Sequence, residues 1–410
     1  MTDARARDDI LELATRAKQA VHSPSSFMTE LLVQQQQYAC LNWLCRFDVL
    51  RRIPLPPSSV SYRDLARACD VPEDSLRAAT RMVMTTGFLR ETASGEAAHN
   101  ALSAAFVENA DLMTWMLHMV NHTVPFMNGF AAATEKFGDS LQTNETAFNV
   151  AFDTDLAYFP YLKSRPDLER EFDAYMQSQS KVHGGARVEH LLDGFDWAAL
   201  PEDALVVDVG GGSGSTSLAV AREFEGLRFV VQDQATPIEG ARRRKAAAAA
   251  EDPAWQRIEL QEHDFFGPQP VAGAAVYLLR MIIHDWPDAK AAQILGQLAR
   301  AMSPASRLLI MDMVIPAPGS GPILAEAALR EKDLCMRQVF NAKERETGDW
   351  HSLVAQVDPP LRIRAIKRPD GCQHSVIEVA LARDGHAGAT NGVNKLNGTN
   401  GTNGTNGASH

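Results

Sequence analysis

The sequence predicts an α/β protein in two parts, an N-terminal all-α and winged-helix unit and a C-terminal doubly wound sheet, closed by a polar tail. Three observations predict it. Up to about residue 185, apolar residues recur at helical spacing, interrupted by a helix-turn-helix and a short wing. From Leu205 onward, short β-rich apolar runs alternate with helical stretches, the pattern of a parallel sheet covered on both faces. The first of those runs, Leu205-Val206-Val207-Asp208-Val209, leads straight into Gly210-Gly211-Gly212-Ser213-Gly214, a glycine turn between strand and helix. The expected boundaries are 1–185, 186–383 and 384–410.

In the first part, residues 8–22 and 26–50 read as helices, with Leu31, Leu32, Ala39, Leu41, Leu44, Phe47 and Val49 at apolar positions. Pro54, Pro56 and Pro57 then break the chain. A short helix with Leu65 inward gives way to a turn at Asp70. Pro72 suits the first turn of the next helix, where Glu73 and Asp74 complement the positive end of the helix dipole. Gly87 ends that helix, and Phe88-Leu89 opens the wing. Arg77 and Arg81 are balanced by those two acids, so the helix lacks the basic face needed to read a DNA groove, and a packing and dimerisation role is expected. Residues 103–185 continue as helices dense in Met, Phe, Trp and His.

In the second part, strands are expected at 205–209, 227–233, 257–262, 274–279, 306–313, 361–367 and 375–381, and helices at 217–223 and 238–250. From Asp384 the chain turns glycine- and asparagine-rich and ends in an Asn-Gly-Thr repeat. Such a segment buries too little apolar surface to offset its ordering entropy, so a disordered tail is expected. Its N-glycosylation sequons read as chance matches within the repeat.

Composition narrows the function. The 410 residues carry a net charge of -11, and the basic run Arg242-Arg243-Arg244-Lys245 reads as the solvated face of a helix, so no nucleic-acid partner is expected. No stretch approaches the ~18 unbroken apolar residues of a membrane span, and the charged start lacks an export signal, so a cytoplasmic protein with no membrane partner is expected. Five cysteines without a C-x-x-C pair suggest neither a disulfide framework nor a metal site.

The glycine turn carries chemistry because backbone without Cβ atoms can approach a ligand closely. A dinucleotide fingerprint wants a further glycine where Ser215 stands, which argues against a pyrophosphate. Asp208, at the strand end, can meet the ammonium of an amino-acid moiety. Asp233, ending the second strand, can accept both ribose hydroxyls. Asp264 and Phe265 offer a polar contact and an aromatic wall to an adenine ring. The set fits a nucleoside bearing a positive amino acid.

The order and spacing of Asp208-Val-Gly-Gly-Gly-Ser-Gly, Gln232-Asp233, His263-Asp264-Phe265, Leu279-Arg280-Met-Ile-Ile-His284-Asp285-Trp286-Pro-Asp288 and Ala342-Lys343-Glu344-Arg345 resemble the plant and fungal S-adenosylmethionine-dependent O-methyltransferases that include the caffeic acid and flavonoid enzymes. The resemblance runs from the winged helix to the strand at 375–381. It implies a Rossmann-like methyltransferase domain, an N-terminal dimerisation domain, a homodimer, and S-adenosyl-L-methionine as cofactor. It places Gly210, Asp233, Asp264, Phe265 and Arg280 (where relatives often carry lysine) around that cofactor, with Gly212 in the same turn. It implies His284 as general base, with Asp312 and Glu344 as the acids that hold the imidazole; many relatives have glutamate at the first of these. An imidazole suits the task, since it titrates near neutrality and can take a hydroxyl proton as the oxygen attacks.

The substrate is expected to be a small, aromatic or polyketide-type molecule with a hydroxyl to methylate. His122, Met127, Phe172, Met176 and Asp285 are the candidates for contact with it, Asp285 equally as a residue that fixes its loop. His118 reads as structural. A related alternative keeps the same bound cofactor as a fixed positive charge and catalyses dehydration or a pericyclic step.

Overall fold

The computed structural model describes residues 4–182 and 188–382; the expected junction near residue 185 and the tail at 384–410 lie outside the described residues. The chain opens with helices Ala4–Ala20 and Pro24–Arg46. A reciprocal pair of hydrogen bonds between Ser23 and Ser26 caps the second, with Pro24 in its first turn. Leu44, Val49, Leu65 and Leu76 meet in one core, and Leu65 is fully buried as its spacing predicts. Helix Tyr62–Cys69 ends at Asp70 in the left-handed region, and helix Glu73–Met84 follows with Pro72 at its N-cap, one residue before the expected position. Strands β1 (Leu89–Glu91) and β2 (Ala97–His99) then pair antiparallel.

Between residues 101 and 182 the chain is helical, including a π-turn at Met119–Thr123 between helices Ala110–His118 and Val124–Asn128. This helical layer shares a core with the second half of the chain. Phe126, Phe148, Tyr158 and Tyr161 pack against Val339, Phe340 and Ala342 at the end of helix Ile323–Phe340.

The second half is a sheet of β3 (Leu205–Val209), β4 (Arg228–Asp233), β5 (Ile258–Glu262), β6 (Val276–Arg280), β7 (Arg307–Ile315), β8 (Arg345–Glu346), β9 (Leu361–Lys367) and β10 (His374–Leu381). The order is β5-β4-β3-β6-β7-β10-β9, with β8 beside the end of β7. The strands from β5 across to β7 are parallel, but β10 runs antiparallel to both β7 and β9, which corrects the all-parallel expectation. The physical reason is the short link between β9 and β10. A parallel crossover needs about a dozen residues or more, whereas a hairpin does not.

Two apolar cores cover the sheet. On one face Ile294, Leu295 and Leu298 of helix Asp288–Ala301 pack with Trp350 against β6, β7 and β10. On the other, Trp197, Trp255 and Leu218 pack against β3, β4 and β6. Each fully buried large side chain contributes roughly 1.5–3 kcal/mol. The chain reverses direction across the sheet between β3 and β6, and ligands in such sheets sit beyond the carboxyl ends of the strands at that crevice. The glycine turn, Asp233 and Arg280 all lie there.

Candidate active site

The turn after β3 places Gly210, Gly212 and Gly214 at φ +73°, +55° and +73°, a region that glycine enters without the Cβ clash other residues incur. The amides of Gly210 and Gly211 both donate to the Gln232 carbonyl, at 2.8 and 3.1 Å. A Cβ on Gly210 would come within 2.5 Å of Ile282 Cδ1 and 3.8 Å of Phe265 Cε1; one on Gly212 would meet nothing within 4 Å. The turn is therefore pinned against β4 and the Phe265 side, and clear above Gly212.

Asp233 faces this turn. Its Oδ2 accepts from the Gly212 amide at 2.9 Å and its Oδ1 from the Gln234 amide at 2.7 Å. Burial pushes its carboxyl up, and those two donors oppose the rise. A carboxylate has about four acceptor positions, so two amides leave it able to accept hydroxyls. Phe265 is half-buried, and exposed Asp264 accepts from the Phe266 amide, fixing the loop that presents the ring. Arg280, at the end of β6, is held by burial below the usual guanidinium range, while Asp208 and Asp312 act in the opposite sense.

Asp208 is placed differently from the expectation. It is 1% exposed, and its Oδ2 accepts from the Ser217 hydroxyl at 2.7 Å. A Cβ on Gly211 would lie 2.7 Å from its Cγ, so the carboxylate sits beneath the turn and ties the strand to the helix start. Burial raises it to about 6, against the Ser217 hydrogen bond. This corrects the reading of Asp208 as an open acceptor for an ammonium group.

His284 lies on the 3-10 turn Ile283–Asp285 just beyond β6. Met281 before it takes φ +56°, strained for a residue with a side chain, and its amide donates to the Met311 carbonyl at 3.0 Å. His284 is buried, and its Nδ1 lies 2.7 Å from Glu344 Oε1. With the Nδ1 proton donated to Glu344, Nε2 is left to accept a proton. Asp285 Oδ1 is 3.6 Å from Nε2, beyond hydrogen-bond length. Burial disfavours the imidazolium, but Glu344, Asp285 and Asp312 outweigh it and hold the pKa well above the usual value.

Asp312, placed by motif position among the acids around the imidazole but shorter than the glutamate many relatives carry, makes no hydrogen bond to His284. It is fully buried on β7, and neither carboxylate oxygen has a hydrogen-bond partner among the described residues. Burial lifts it to about 7, with the charge of His284 opposing. Its effect on the imidazole is electrostatic; the contact belongs to Glu344. Asp285 is likewise raised to about 6 by burial, opposed by His284.

Sequence reasoning assigned no role to Arg345, which holds the His284 turn in place. Fully buried, it donates from Nη1 to the Ile283 carbonyl at 3.0 Å, from Nη2 to the Trp286 carbonyl at 2.9 Å, and from Nε and Nη2 to Asp288 Oδ1 at 3.0 and 2.7 Å. The only signal available was its place beside Glu344 in Ala342-Lys343-Glu344-Arg345.

Of the other candidates, His122 sits on the π-turn, its ring 5.0 Å from that of His118. Phe172 lies 6.3 Å from His118, and half-buried Met176 follows Tyr175 on the same helix, Pro166–Val182. Met127 is 37% exposed and does not join this ring cluster. No group of three or more metal-ligating side chains occurs, and no helix is long and apolar enough to cross a membrane, among the described residues.

An S-adenosylmethionine fits this set: a glycine turn clear above Gly212, a carboxylate at the end of β4 for its ribose, and the Phe265 ring beside the turn. A family model described as an O-methyltransferase domain matches residues 135–357. The O-methyltransferase fsr2 of Gibberella fujikuroi is 52% identical over 379 residues, covering 92% of this chain and 97% of that protein. The O-methyltransferase VdtC of Byssochlamys spectabilis is 41% identical over 374 residues, covering 91% and 86%. Among solved structures, OxaC in complex with sinefungin and meleagrin has a TM-score of 0.78 at 23% identity, covering 93% of this chain and 94% of that one. LepI in complex with S-adenosylmethionine has a TM-score of 0.76 at 23% identity, covering 93% and 95%. At that identity these two show the fold alone. With the family match over more than half its length and two such relatives over nine-tenths of it, the chain belongs to the O-methyltransferase family and is an S-adenosyl-L-methionine-dependent O-methyltransferase.

Proposed function

We propose that the protein methylates a hydroxyl of a small aromatic or polyketide-type secondary metabolite, with His284 as general base. The observation that carries this reading is the 2.7 Å contact between His284 Nδ1 and Glu344 Oε1, which leaves Nε2 as the acceptor. Bound S-adenosylmethionine supplies a methyl group made electrophilic by its positive sulfur. The chain's own residues do the rest. Asp233 and Phe265 hold the nucleoside, with Gly210, Gly212, Asp264 and Arg280 around it. His284 Nε2 takes the acceptor's hydroxyl proton, and Glu344, with Asp285 and Asp312 nearby, stabilises the resulting imidazolium. His122, Phe172 and Met176 contact the acceptor. The intact His284–Glu344 pair supports methyl transfer over the dehydration or pericyclic alternative.

The working unit is a homodimer. Ile10, Leu13, Phe27, Met28 and Leu32 on the first two helices are 49–67% exposed, an apolar surface suited to a second copy. Five free cysteines suit the reducing cytoplasm.

The test is turnover with methyl-labelled S-adenosylmethionine and a panel of phenols. One S-adenosylhomocysteine should form for each labelled methyl ether. Conversion of an acceptor without S-adenosylhomocysteine would overturn the proposal in favour of the non-methylating alternative.

A further inference from the structure

A surface of aromatic rings runs from the glycine turn to the π-turn. Phe265, beside Gly210, lies 5.9 Å from Trp286. Trp286 lies 6.4 Å from Phe159, Phe159 6.3 Å from Phe172, and Phe172 6.3 Å from His118. His118 is stacked on His122 at 5.0 Å. Each of these rings keeps accessible surface, whereas the rings packed behind them, Phe148, Tyr158 and Phe340, are buried. Phe159 and Phe172 pack against these buried rings, and Phe265 and Trp286 against the core of the sheet.

The far end is built with unusual care. The π-turn is closed by the Val124 amide donating back to the Met119 carbonyl, a rare geometry that recurs at functional sites. His118 is sandwiched between His122 and Tyr175, the latter at 3.7 Å and nearly parallel. Phe152 stacks on the outer side of His122 at 5.9 Å. His122 Nε2 is 3.6 Å from Glu171 Oε2, too far for a hydrogen bond, and that glutamate is largely exposed.

We propose that His118 and His122 form a two-imidazole recognition site for a second oxygen of a flat, fused-ring phenolic acceptor, at the opposite end of the ring face from the glycine turn. This deepens the methyl-transfer reading and rests on it. Aromatic rings are selected because the series, whose neighbours are inclined by 29–79°, offers both faces for offset stacking and edges for T-shaped contact. More than one ring is selected because Trp286 and His118 are three ring-to-ring steps apart, further along the face than a single benzene ring covers. Both imidazoles are held neutral: burial, then the neighbouring His122 and Lys332, push His118 down to about 3, and burial lowers His122 against the opposing Glu171. Each neutral imidazole presents one N–H and one lone pair, so the pair can donate to a carbonyl and both donate to and accept from a hydroxyl.

The test uses the full chain loaded with S-adenosylhomocysteine and three probes: phenol, naphthol, and a naphthalenediol with its hydroxyls on opposite rings. Calorimetry on the wild type should rank diol above naphthol above phenol, the diol by at least about tenfold, since a site built to hydrogen-bond an oxygen rejects the analogue that lacks it. The double variant His118→Phe/His122→Phe keeps the stack and should lose the diol preference while still binding naphthol. Equal binding of the three probes by the wild type, or an undiminished diol preference in the variant, would overturn the inference. S-adenosylhomocysteine affinity, read in the same samples, separates the two levels. Its retention with no diol preference sinks this inference alone, while failure to bind it sinks the methyltransferase reading beneath. His118→Asn/His122→Asn, which keeps donors and acceptors, should retain part of the preference, and its complete loss there would also count against the assignment.

Discussion

At the scale of single residues, the site is a contest between burial and charge. One buried imidazole meets two buried carboxylates and the half-buried Asp285, and only one pair, His284 with Glu344, is joined by a hydrogen bond. A negative neighbour favours the imidazolium, so removing it must lower the His284 pKa. A base works only when neutral, so activity should climb with rising pH through the His284 pKa, which lies well above 6.5 in the folded protein. Glu344→Gln should therefore shift the acid limb of the kcat/KM profile to lower pH while reducing the plateau through lost orientation. A limb that stays in place would show that another group titrates there. Asp312 marks the limit of residue-level reading. Its position in the motif was legible, but whether its short side chain reaches the imidazole depends on the spacing between β7 and the His284 turn, which no local pattern encodes.

At the scale of elements, the strand that ends in Arg280 does not by itself aim His284. The chain passes through a left-handed Met281 into a single 3-10 turn, too short to hold its own shape, and Arg345 fixes it from β8. Arg345→Met would remove the Trp286 carbonyl's side-chain donor, leave the Ile283 carbonyl with only the Trp286 amide at 3.2 Å, and leave Asp288 with only Lys343, 3.6 Å away. A destabilisation of about 2–4 kcal/mol is expected, read from denaturant unfolding, with activity falling further than the melting temperature accounts for. Arg345→Lys should rescue little, because an ammonium cannot reproduce the planar fork. A fully active Arg345→Met would refute this positioning role. The glycine turn and Asp233 were legible because each stands in a short motif whose chemistry is local, whereas His284 and Glu344 were named through the family resemblance. The Arg345 fork was not, because two of its acceptors are main-chain carbonyls some sixty residues away, which carry no side-chain signature, and no local pattern pairs it with the third, Asp288. The π-turn escaped for the same reason, since one extra residue in a helical turn leaves the apolar spacing almost unchanged.

At the scale of the whole molecule, alternation of strands and helices made the sheet legible nearly strand by strand, apart from the two-residue β8, and the direction of β10 required the length of its link to β9. Periodicity also found the apolar positions of the first helices but could not say what covers them. Leu31 and Leu32 recur at core spacing, yet stand 40% and 67% exposed on this chain. A second copy is the occupant we propose. Leu13→Glu combined with Leu32→Glu should convert a dimer into a monomer in sedimentation, and a wild-type chain that sediments as a monomer would remove the proposal. Whatever the outcome there, the account stands or falls on the base. The most direct measurement is single-turnover methyl transfer by His284→Gln, a variant whose amide can still donate to Glu344 and so keeps the turn packed. We predict a rate at least ~100-fold below wild type with S-adenosylmethionine affinity unchanged in calorimetry; an undiminished rate would contradict the assignment of His284.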